Sequence, residues 1–258
     1  MSALTIGLAS LVGLFGGALL PLPAYRLSVP ADEPTRSACI ACGTTLPGGR
    51  QGWIGFLTRC SACGARLGSP AWLTAIVAAV ACGLIAATVG PVPVLPMFVA
   101  VGLLGVLLGA VDLDCKRLPH ALVVPAIRVS GALFAVVSAL TGEWGALLRA
   151  ALGAVILGAA FLLLYLLPGR GLGYGDVKLA VLLGLFLGWL GWREVLLGGL
   201  LPWLVNAPIV IALLLSARVS RKTSLPFGPA MLVGALLAVL VGAWFAWSVG
   251  ADGRSGPM

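Results

Sequence analysis

Long apolar segments alternate along the chain with short polar segments that contain proline, glycine and basic residues. A helix needs about 20 consecutive apolar residues to cross the hydrocarbon core of a bilayer. The pattern predicts eight membrane helices, at Ala3–Leu22, Ala71–Val89, Val92–Val111, Ala121–Leu140, Leu148–Leu167, Val177–Leu190, Val195–Ser216 and Gly228–Val249. The predicted fold class is an all-α integral membrane protein, and we expect no internal repeat.

The sixth segment is short, because its uninterrupted apolar run has only 14 residues. At about 1.5 Å per residue this run covers roughly 21 Å of a core about 30 Å thick. Either the helix takes in the glycine-rich turn before it, or Asp176 lies somewhat below the membrane surface. The second alternative is favoured, with Lys178 extending its charged end outward.

Composition supports the membrane interpretation, since 60% of the residues are hydrophobic and only 9% are charged. These values exclude an ordinary soluble domain. The net charge of +8 comes from basic residues spread over short loops, so we expect no nucleic-acid partner. In a membrane protein such loops indicate the orientation instead.

The basic residues lie mainly on one predicted side of the bilayer. With the N-terminus outside, one side holds twelve Lys and Arg residues and the other side holds three. The twelve fall in segments 24–70, 112–120, 168–178 and 217–226. Because loops rich in Lys and Arg remain in the cytoplasm, these four segments are predicted to be cytoplasmic.

Four of the six cysteines form two Cys-x-x-Cys pairs within the segment 24–70. The pairs are Cys39 with Cys42 and Cys60 with Cys63, and a glycine follows each pair. Four thiolates at this spacing suit a tetrahedral Zn²⁺ ion, and they leave no open position for a substrate. Two disulfides are the main alternative, although a cytoplasmic location disfavours them. We predict a structural zinc site that supplies much of the stability of this insert.

Two aspartates stand at the ends of apolar segments. Asp112 directly follows the third segment, and Asp176 directly precedes the sixth, after the turn Gly171–Gly175. Ionisable residues at such positions are candidate functional sites. If the two helices pack side by side, their carboxylates share a proton, and the pair activates water while protonating a carbonyl oxygen.

Two other interpretations of these aspartates stay open at this point. In the first, both aspartates are simple solvated helix caps. In the second, Asp112, Asp114 and His120 bind a cation. Asp114 lies two residues beyond Asp112 and faces away from a partner that Asp112 meets, so we place it outside the pair.

The motifs together resemble those of the type IV prepilin peptidases, which are membrane aspartic proteases with a Gly-x-Gly-Asp signature. The stretch from Gly171 to Leu179 matches the second aspartate motif of that family nearly residue for residue. Asp112-Leu113-Asp114 with Leu118-Pro119 matches the first, and Pro226-Phe227-Gly228-Pro229 resembles the motif that opens the last helix. The insert with two cysteine pairs resembles that of longer bacterial members.

The chain departs from the family pattern at three places. His120 stands where an aspartate is common, the end of the first helix lacks an asparagine, and Gly68-Ser69-Pro70 replaces the expected Arg-Tyr-Pro. The departures leave the two aspartate motifs intact. They fall mostly in the N-terminal third, so the resemblance leaves the second activity of many members open. That activity is N-methylation of the new N-terminus with S-adenosylmethionine.

The resemblance implies an aspartic endopeptidase of the bacterial inner membrane, with Asp112 and Asp176 as catalytic residues facing the cytoplasm. Its substrates are prepilins and pseudopilins with an apolar segment that reaches the enzyme through the lipid bilayer. Gly173, Tyr174 and Gly175 are expected to bind the substrate backbone. For the Tyr174 side chain, packing is an alternative role and is the favoured one. The expected organisation is a first membrane helix (1–23), a zinc-binding insert (24–70) and a membrane protease domain (71–258).

Two other function classes compete with this one. A transporter or channel could use Asp112 and Asp176 to line a polar path, but this leaves the glycine-rich turn and the cysteine insert unexplained. An assembly protein of a secretion machine is the other alternative. Both predict that no prepilin is cleaved.

Overall fold

The structure of the chain, a computed structural model, describes residues 3–30, 33–49, 53, 58–167, 172–215 and 226–252. Within these ranges it contains nine helices, with isolated bridges as the only β-type pairing. The helices are α1 (Ala3–Ala18), α2 (Pro21–Leu27), α3 (Ala71–Val89), α4 (Leu95–Cys115), α5 (His120–Thr141), α6 (Trp144–Leu166), α7 (Tyr174–Leu190), α8 (Trp192–Leu215) and α9 (Gly228–Asp252). The predicted all-α fold is confirmed.

Five helices are long and apolar enough to cross a membrane, namely α3, α4, α5, α6 and the first part of α9. The pair α1 and α2, bent by 50°, makes a sixth candidate if it forms one span. Each predicted apolar segment contains a helix, but α7 has only 17 residues, and α8 contains Pro202 and Pro208. The structure supports a protein with several membrane helices, and the number eight stays a prediction.

Helix α2 is an element that the sequence analysis did not predict. It begins at Pro21, where the chain bends after α1. Proline has no N–H and interrupts a preceding helix, whereas its fixed φ suits the first position of a new helix. Leu22 and Tyr25 of α2 are buried against the cysteine-containing insert. The insert boundary expected at residue 24 therefore falls inside a helix.

Helix α7 begins at Tyr174, so it includes the last two residues of the glycine-rich turn, Tyr174 and Gly175. The sequence offers this arrangement as one of two alternatives for the short sixth segment, and it favours the other, in which Asp176 lies somewhat below the membrane surface. Its 17 residues extend roughly 25 Å at about 1.5 Å per residue. Gly171, the first glycine of the turn, lies outside the described residues.

Glycines allow close contact in two helix pairs. A Cβ atom at Gly13 of α1 would overlap the backbone of α3 at Ala78. Gly153 of α6 and Gly184 of α7 approach each other in the same way. Small residues let membrane helices pack closely where the hydrophobic effect gives no net attraction between them. The α6–α7 contact holds the helix that carries Asp176.

An aromatic cluster joins α4, α5 and α7 in the core. Phe134 of α5 stacks on Trp189 of α7 with the ring centroids 4.5 Å apart. Phe186 of α7 lies edge-on to Phe134 at 5.1 Å and to Phe98 of α4 at 4.9 Å. Such pairs contribute about 0.5–1.5 kcal/mol each beyond their buried area. The cluster fixes the relative positions of α4, α5 and α7, and the two aspartates lie at the other ends of α4 and α7.

Residues 37–46 and 58–67 of the insert form two turns with the same hydrogen bonds. The first cysteine donates its N–H to the residue five positions later, at 2.9 Å from Cys39 and 2.8 Å from Cys60. The glycine after each pair is left-handed, with φ of 73° at Gly43 and 70° at Gly64. Both turns read Cys-x-Ala-Cys-Gly-x-x-Leu, so the expectation of no internal repeat is wrong. The repeat is one turn long, and only its cysteines are conspicuous in the sequence.

Candidate active site

Asp112 lies in the last turn of α4 and is buried, with 3% of its surface exposed. The helix ends at Cys115, and Lys116 then takes a left-handed conformation with φ of 55°. Lys116 is the only non-glycine residue with positive φ in the described part of the chain. A carboxylate near the C-terminal end of its own helix faces the negative end of the helix dipole. Asp112 therefore needs a hydrogen-bond donor from elsewhere in the fold.

Helix α9 supplies this donor at its first residue. The Gly228 N–H donates to Asp112 Oδ2 at an N···O distance of 3.0 Å, in a buried contact. The N-terminal end of a helix has unpaired N–H groups and partial positive charge, which favour a carboxylate. The two residues are 116 positions apart in the chain. The start of α9 is therefore part of the site.

Asp176 is held by its own helix. It lies in the first turn of α7 with 8% of its surface exposed. Its Oδ2 accepts the Gly173 N–H at 2.9 Å, and its own N–H donates to the Gly173 carbonyl at 3.0 Å. The N-terminal end of α7 favours a negative charge at this position.

The two aspartate motifs are in direct contact. A Cβ atom at Gly175 would lie 2.9 Å from Cβ of Leu118, a distance that real structures essentially never show. Leu118 belongs to the loop that follows Asp112, and it is buried. Gly175 therefore lets the loop after α4 pack against the start of α7, which brings the two carboxylates toward each other.

Both carboxylates line one cavity with a volume of about 270 Å³. Its lining consists of Asp112, Lys116, Arg117, Leu118, His120, Gly173, Tyr174, Gly175, Asp176, Pro226 and Phe227. These residues come from both aspartate motifs and from the segment before α9. All five residues predicted to be catalytic or substrate-binding are thus found around one space.

A second cavity, of about 320 Å³, is larger but contains no aspartate among its lining residues. It lies between α3, α4, α7 and α9, and its walls are almost wholly apolar. Hydrolysis needs groups that bind and transfer protons, and only the smaller cavity brings them together. We therefore place the candidate active site in the smaller cavity.

Basic residues flank the aspartates, and Lys178 among them contacts two side chains. Lys178 Nζ lies 2.9 Å from His120 Nδ1, a distance at which the lysine can donate a hydrogen bond to that imidazole nitrogen. The same ammonium group lies 4.7 Å from the centroid of the Tyr174 ring. Lys178 is thus oriented by His120 and Tyr174, at the edge of the cavity.

Asp114 lies outside the cavity and is exposed. Its Oδ2 is 3.3 Å from the Oγ of Ser28, a buried residue at the end of α2. The contact ties α2 to the last turn of α4. Among the described residues, Asp112, Asp114 and His120 do not gather into a metal site, whereas the four cysteines do.

The four cysteine sulfurs lie within 4.8 Å of one another. Cys39 Sγ is 3.8 Å from Cys63 Sγ, and Cys42 Sγ is 3.6 Å from Cys60 Sγ. Zn–S bonds of about 2.3 Å in a tetrahedron place sulfurs roughly 3.8 Å apart, whereas a disulfide requires about 2.05 Å. The arrangement therefore fits a tetrahedral metal ion, and it pairs cysteines from different turns.

The environments of the thiols differ. Hydrogen bonds from the side chain and backbone of Thr44 lower the pKa of the Cys42 thiol to about 6. At Cys63 the Ala65 amide acts in the same direction, but Cys42 and burial outweigh it and raise the pKa to about 12. Four thiolates this close repel one another unless a cation neutralises them.

Two features of the site escaped the sequence analysis. The role of Gly228 as a donor to Asp112 was missed, and its only signal was the Pro226-Phe227-Gly228-Pro229 motif. The contact of Lys178 with His120 joins residues 58 positions apart, and nothing in the local sequence indicates it. Both features depend on helices that meet only in the folded protein.

Comparison with known proteins identifies the family. Residues 97–217 match the model of the type IV leader peptidase family. This range contains both aspartates and ends before the segment that opens α9.

Relatives named prepilin leader peptidase/N-methyltransferase match most of the chain. The relative from Pseudomonas putida is 29% identical, over 92% of this chain and 91% of its own length. The one from Aeromonas hydrophila is 29% identical, over 85% of this chain and 74% of its length. The one from Burkholderia pseudomallei (strain 1026b) is 30% identical, over 87% of this chain and 72% of its length.

No solved structure matches the chain. The sequence relatives alone establish the family, because the similarity extends over most of both chains and the family model covers both aspartate motifs. The resemblance inferred from the motifs is confirmed: the chain belongs to the type IV leader peptidase family.

Proposed function

We propose that this chain is a membrane-embedded aspartic endopeptidase that removes the leader peptide of type IV prepilins and pilin-like proteins on the cytoplasmic side. The observation that carries the proposal is the cavity lined by Asp112 and Asp176, each with Oδ2 bound by a backbone N–H. Family membership and the names of the relatives support a prepilin as the substrate.

The two carboxylates have complementary roles in the proposed reaction. The ionised carboxylate removes a proton from a water molecule, and the oxygen of that water attacks the scissile carbonyl carbon. The protonated carboxylate donates to the carbonyl oxygen. The C–N bond then breaks, the leaving amine takes the proton that came from water, and the hydroxyl formed from the carbonyl oxygen returns its proton to the pair. Because Oδ2 of each residue accepts a backbone N–H, Oδ1 is left for water and substrate.

The turn before α7 is proposed to bind the substrate. Gly173, Tyr174 and Gly175 line the cavity, and Gly173 has an extended backbone with φ of −83° and ψ of 149°. An extended strand of substrate can pair with such a segment through backbone hydrogen bonds. Recognition of this kind tolerates different substrate side chains, as an enzyme with several prepilin and pseudopilin substrates requires.

The insert is proposed to bind one structural Zn²⁺ through Cys39, Cys42, Cys60 and Cys63. The sulfur distances support this, as does the repeated turn that presents two thiols from each half. A zinc ion bound in this way stabilises the folded insert, since its four ligands come together only in the fold. The insert contacts α2 through Arg26, whose Nη2 donates to the Pro47 carbonyl at 2.7 Å.

The proposed topology has eight membrane helices, with the N-terminus outside and the insert and both aspartates in the cytoplasm. It divides the chain into a first membrane helix (1–23), the zinc insert (24–70) and the protease domain (71–258). Ser28 and Asp114 support it, because their contact places the end of α2 at the same end of the bundle as Asp112. The excess of basic residues in these loops indicates that this end of the bundle faces the cytoplasm.

A second activity, N-methylation of the cleaved product with S-adenosylmethionine, is supported by the names of the relatives. The match to the Pseudomonas putida relative extends over 91% of its length. Methylation would make the mature N-terminus about 14 Da heavier than cleavage alone. Mass spectrometry of a processed prepilin therefore tests this activity separately from cleavage.

The test of the main proposal is a processing assay in membranes with a leader-bearing prepilin. Wild-type protein should shorten the prepilin, whereas Asp112→Asn and Asp176→Asn should each lower cleavage by about 10²–10⁴-fold or more. The amide keeps the shape of the side chain but can neither accept the proton of water nor share one. The double variant should be little worse than either single variant, because the two residues act as a unit.

Abundance and zinc content of each variant serve as controls for folding. A transporter or assembly protein would show no cleavage by the wild type in this assay. Normal cleavage by either asparagine variant at normal abundance would exclude the aspartic mechanism.

A further inference from the structure

Gly228 has no room for a side chain, and the reason is Asp112. A Cβ atom built on Gly228 would lie 2.7 Å from Oδ2, 3.1 Å from Cγ and 3.4 Å from Cβ of Asp112. These are its three nearest atoms, and all belong to one side chain. A contact of 2.7 Å is too short for a Cβ atom and would force the carboxylate to move.

The backbone conformation does not require glycine at this position. The described glycines with positive φ are Gly43, Gly49, Gly64, Gly68, Gly90 and Gly142, and Gly228 is not among them. Other residues could adopt its conformation without strain. The close approach to the carboxylate is therefore the feature that demands a glycine.

The segment that carries Gly228 is rigidly held. Pro226 and Pro229 flank the dipeptide Phe227-Gly228, and each proline fixes its own φ. The Phe227 ring is buried, with its centroid 4.8 Å from that of Trp203 and 6.2 Å from that of Phe161. Side chains of α8 and α6 thus fix the start of α9, and with it the direction of the Gly228 N–H.

We propose that Gly228 is a positioning residue that sets the orientation of Asp112 within the pair. This inference rests on the proposed function, in which Asp112 is one of two catalytic carboxylates. The Gly228 N–H holds Oδ2, and the missing side chain lets α9 approach to hydrogen-bond distance. Asp112 Oδ1 is then presented to water and substrate in a fixed direction.

The first test measures kcat and KM of Gly228→Ala with purified protein and one prepilin substrate. The added methyl group displaces the carboxylate but leaves the substrate-binding turn before α7 intact. We expect kcat to fall about 100-fold, since a displacement of about 1 Å at a reacting group can cost this much. KM should change by less than about threefold.

The matched control is Gly234→Ala on the same helix. A Cβ atom there would lie 2.7 Å from both Cδ and the backbone nitrogen of Pro202. This clash lies away from both aspartates, so it should lower the melting temperature without changing kcat of the folded protein. A kcat of Gly228→Ala within about threefold of wild type would overturn the proposal, and so would an effect confined to KM.

The second test needs no activity and compares melting temperatures in two backgrounds. In the wild type, Gly228→Ala should lower the melting temperature by about 2–4 °C. An Asp112→Ala background removes Oδ2 and Cγ and keeps only Cβ, at an ordinary contact distance of 3.4 Å, so the same substitution should have no such effect. Gly234→Ala should lower the melting temperature equally in both backgrounds.

Equal destabilisation by Gly228→Ala in both backgrounds would overturn the proposed contact with Asp112. If the wild type cleaves no prepilin, the proposed function fails, and the melting temperatures alone decide whether Gly228 and Asp112 are coupled. The two failures are therefore distinguishable.

Discussion

The two aspartates reach the same cavity by different means. Asp176 lies in the first turn of its own helix and is bonded to an N–H only three residues before it. Asp112 lies in the last turn of its helix, and its donor is 116 residues away. The dipole of α7 favours a negative charge at Asp176, whereas that of α4 opposes one at Asp112. One half of the site is thus built locally, and the other half depends on the tertiary fold.

This difference indicates which parts of the molecule control each carboxylate. Asp176 depends on the turn before α7 and on the contact of that turn with Leu118. Asp112 depends on α9 through Gly228 and on α2 through Ser28 and Asp114. Changes in distant helices should therefore disturb Asp112 more than Asp176.

Among substitutions that leave both carboxylates in place, the largest difference in activity is expected between the two glycines of the turn. Gly175→Ala should lower cleavage at least about 100-fold, because its Cβ would lie 2.9 Å from Leu118 and push the two motifs apart. Gly173→Ala should lower cleavage by less than about tenfold. Its Cβ would lie 3.4 Å from Asp176 Oδ2, an ordinary contact, and its φ of −83° suits alanine. The processing assay measures both variants.

Melting temperature and abundance control for general misfolding of the two alanine variants. Equal losses of activity would show that Gly173 and Gly175 serve the substrate in the same way. In that case the contact with Leu118 would not be what demands the second glycine.

An intermediate effect is expected from loss of the metal. Purified protein should contain about one Zn²⁺ per chain, and Cys39→Ser or Cys60→Ser should remove it and reduce abundance in membranes. Cleavage should fall about tenfold, equivalent to about 1.4 kcal/mol, because α2 loses its support and no longer steadies the end of α4. Amide hydrogen exchange should increase in the last turn of α4 and stay unchanged in the first turn of α7.

Cys82→Ala provides the control, since it removes a buried thiol outside the four-sulfur cluster. Its zinc content should match the wild type. Zinc-free protein under reducing, chelator-free conditions would contradict the metal site. Faster exchange in both helix ends would contradict the proposed difference between the two aspartates.

The smallest effect is expected at the contact between α2 and α4. Ser28→Ala removes the hydrogen bond between the two side chains and Asp114→Asn weakens it, and such a bond is worth about 1 kcal/mol. Each variant should therefore retain at least about one fifth of wild-type cleavage in the membrane assay. Loss of activity in Asp114→Asn, with retention in Asp112→Asn, would identify Asp114 as the partner of Asp176.

The locally built features were predictable from the sequence. A carboxylate in the first turn of a helix, after a glycine-rich turn, indicates a helix cap, and Asp176 forms one. Two Cys-x-x-Cys pairs predict four converging sulfurs, and the four sulfurs converge. Apolar segments predicted where helices lie, because the length of an apolar run is a property of the chain alone.

The features that depend on distant partners were not predictable in the same way. The sequence indicates that Pro226-Phe227-Gly228-Pro229 opens a helix, but not that Gly228 faces Asp112. Helix α2 was missed because two prolines in seven residues suggest a loop, while burial of Tyr25 against the insert stabilises a helix. The number of membrane spans also depends on more than the apolar pattern, since α7 has only 17 residues and α8 contains Pro202 and Pro208.

The pairing of sulfurs across the two turns has a consequence for the order of events during synthesis. Cys39 lies beside Cys63 and Cys42 beside Cys60, so neither turn can complete a metal site before the other has been made. All four cysteines precede α3, and both aspartates follow it. A ribosome therefore delivers the whole metal-binding insert before it delivers either carboxylate. With the proposed zinc ion, the insert can close around the metal early, and the later helices then assemble against a finished support.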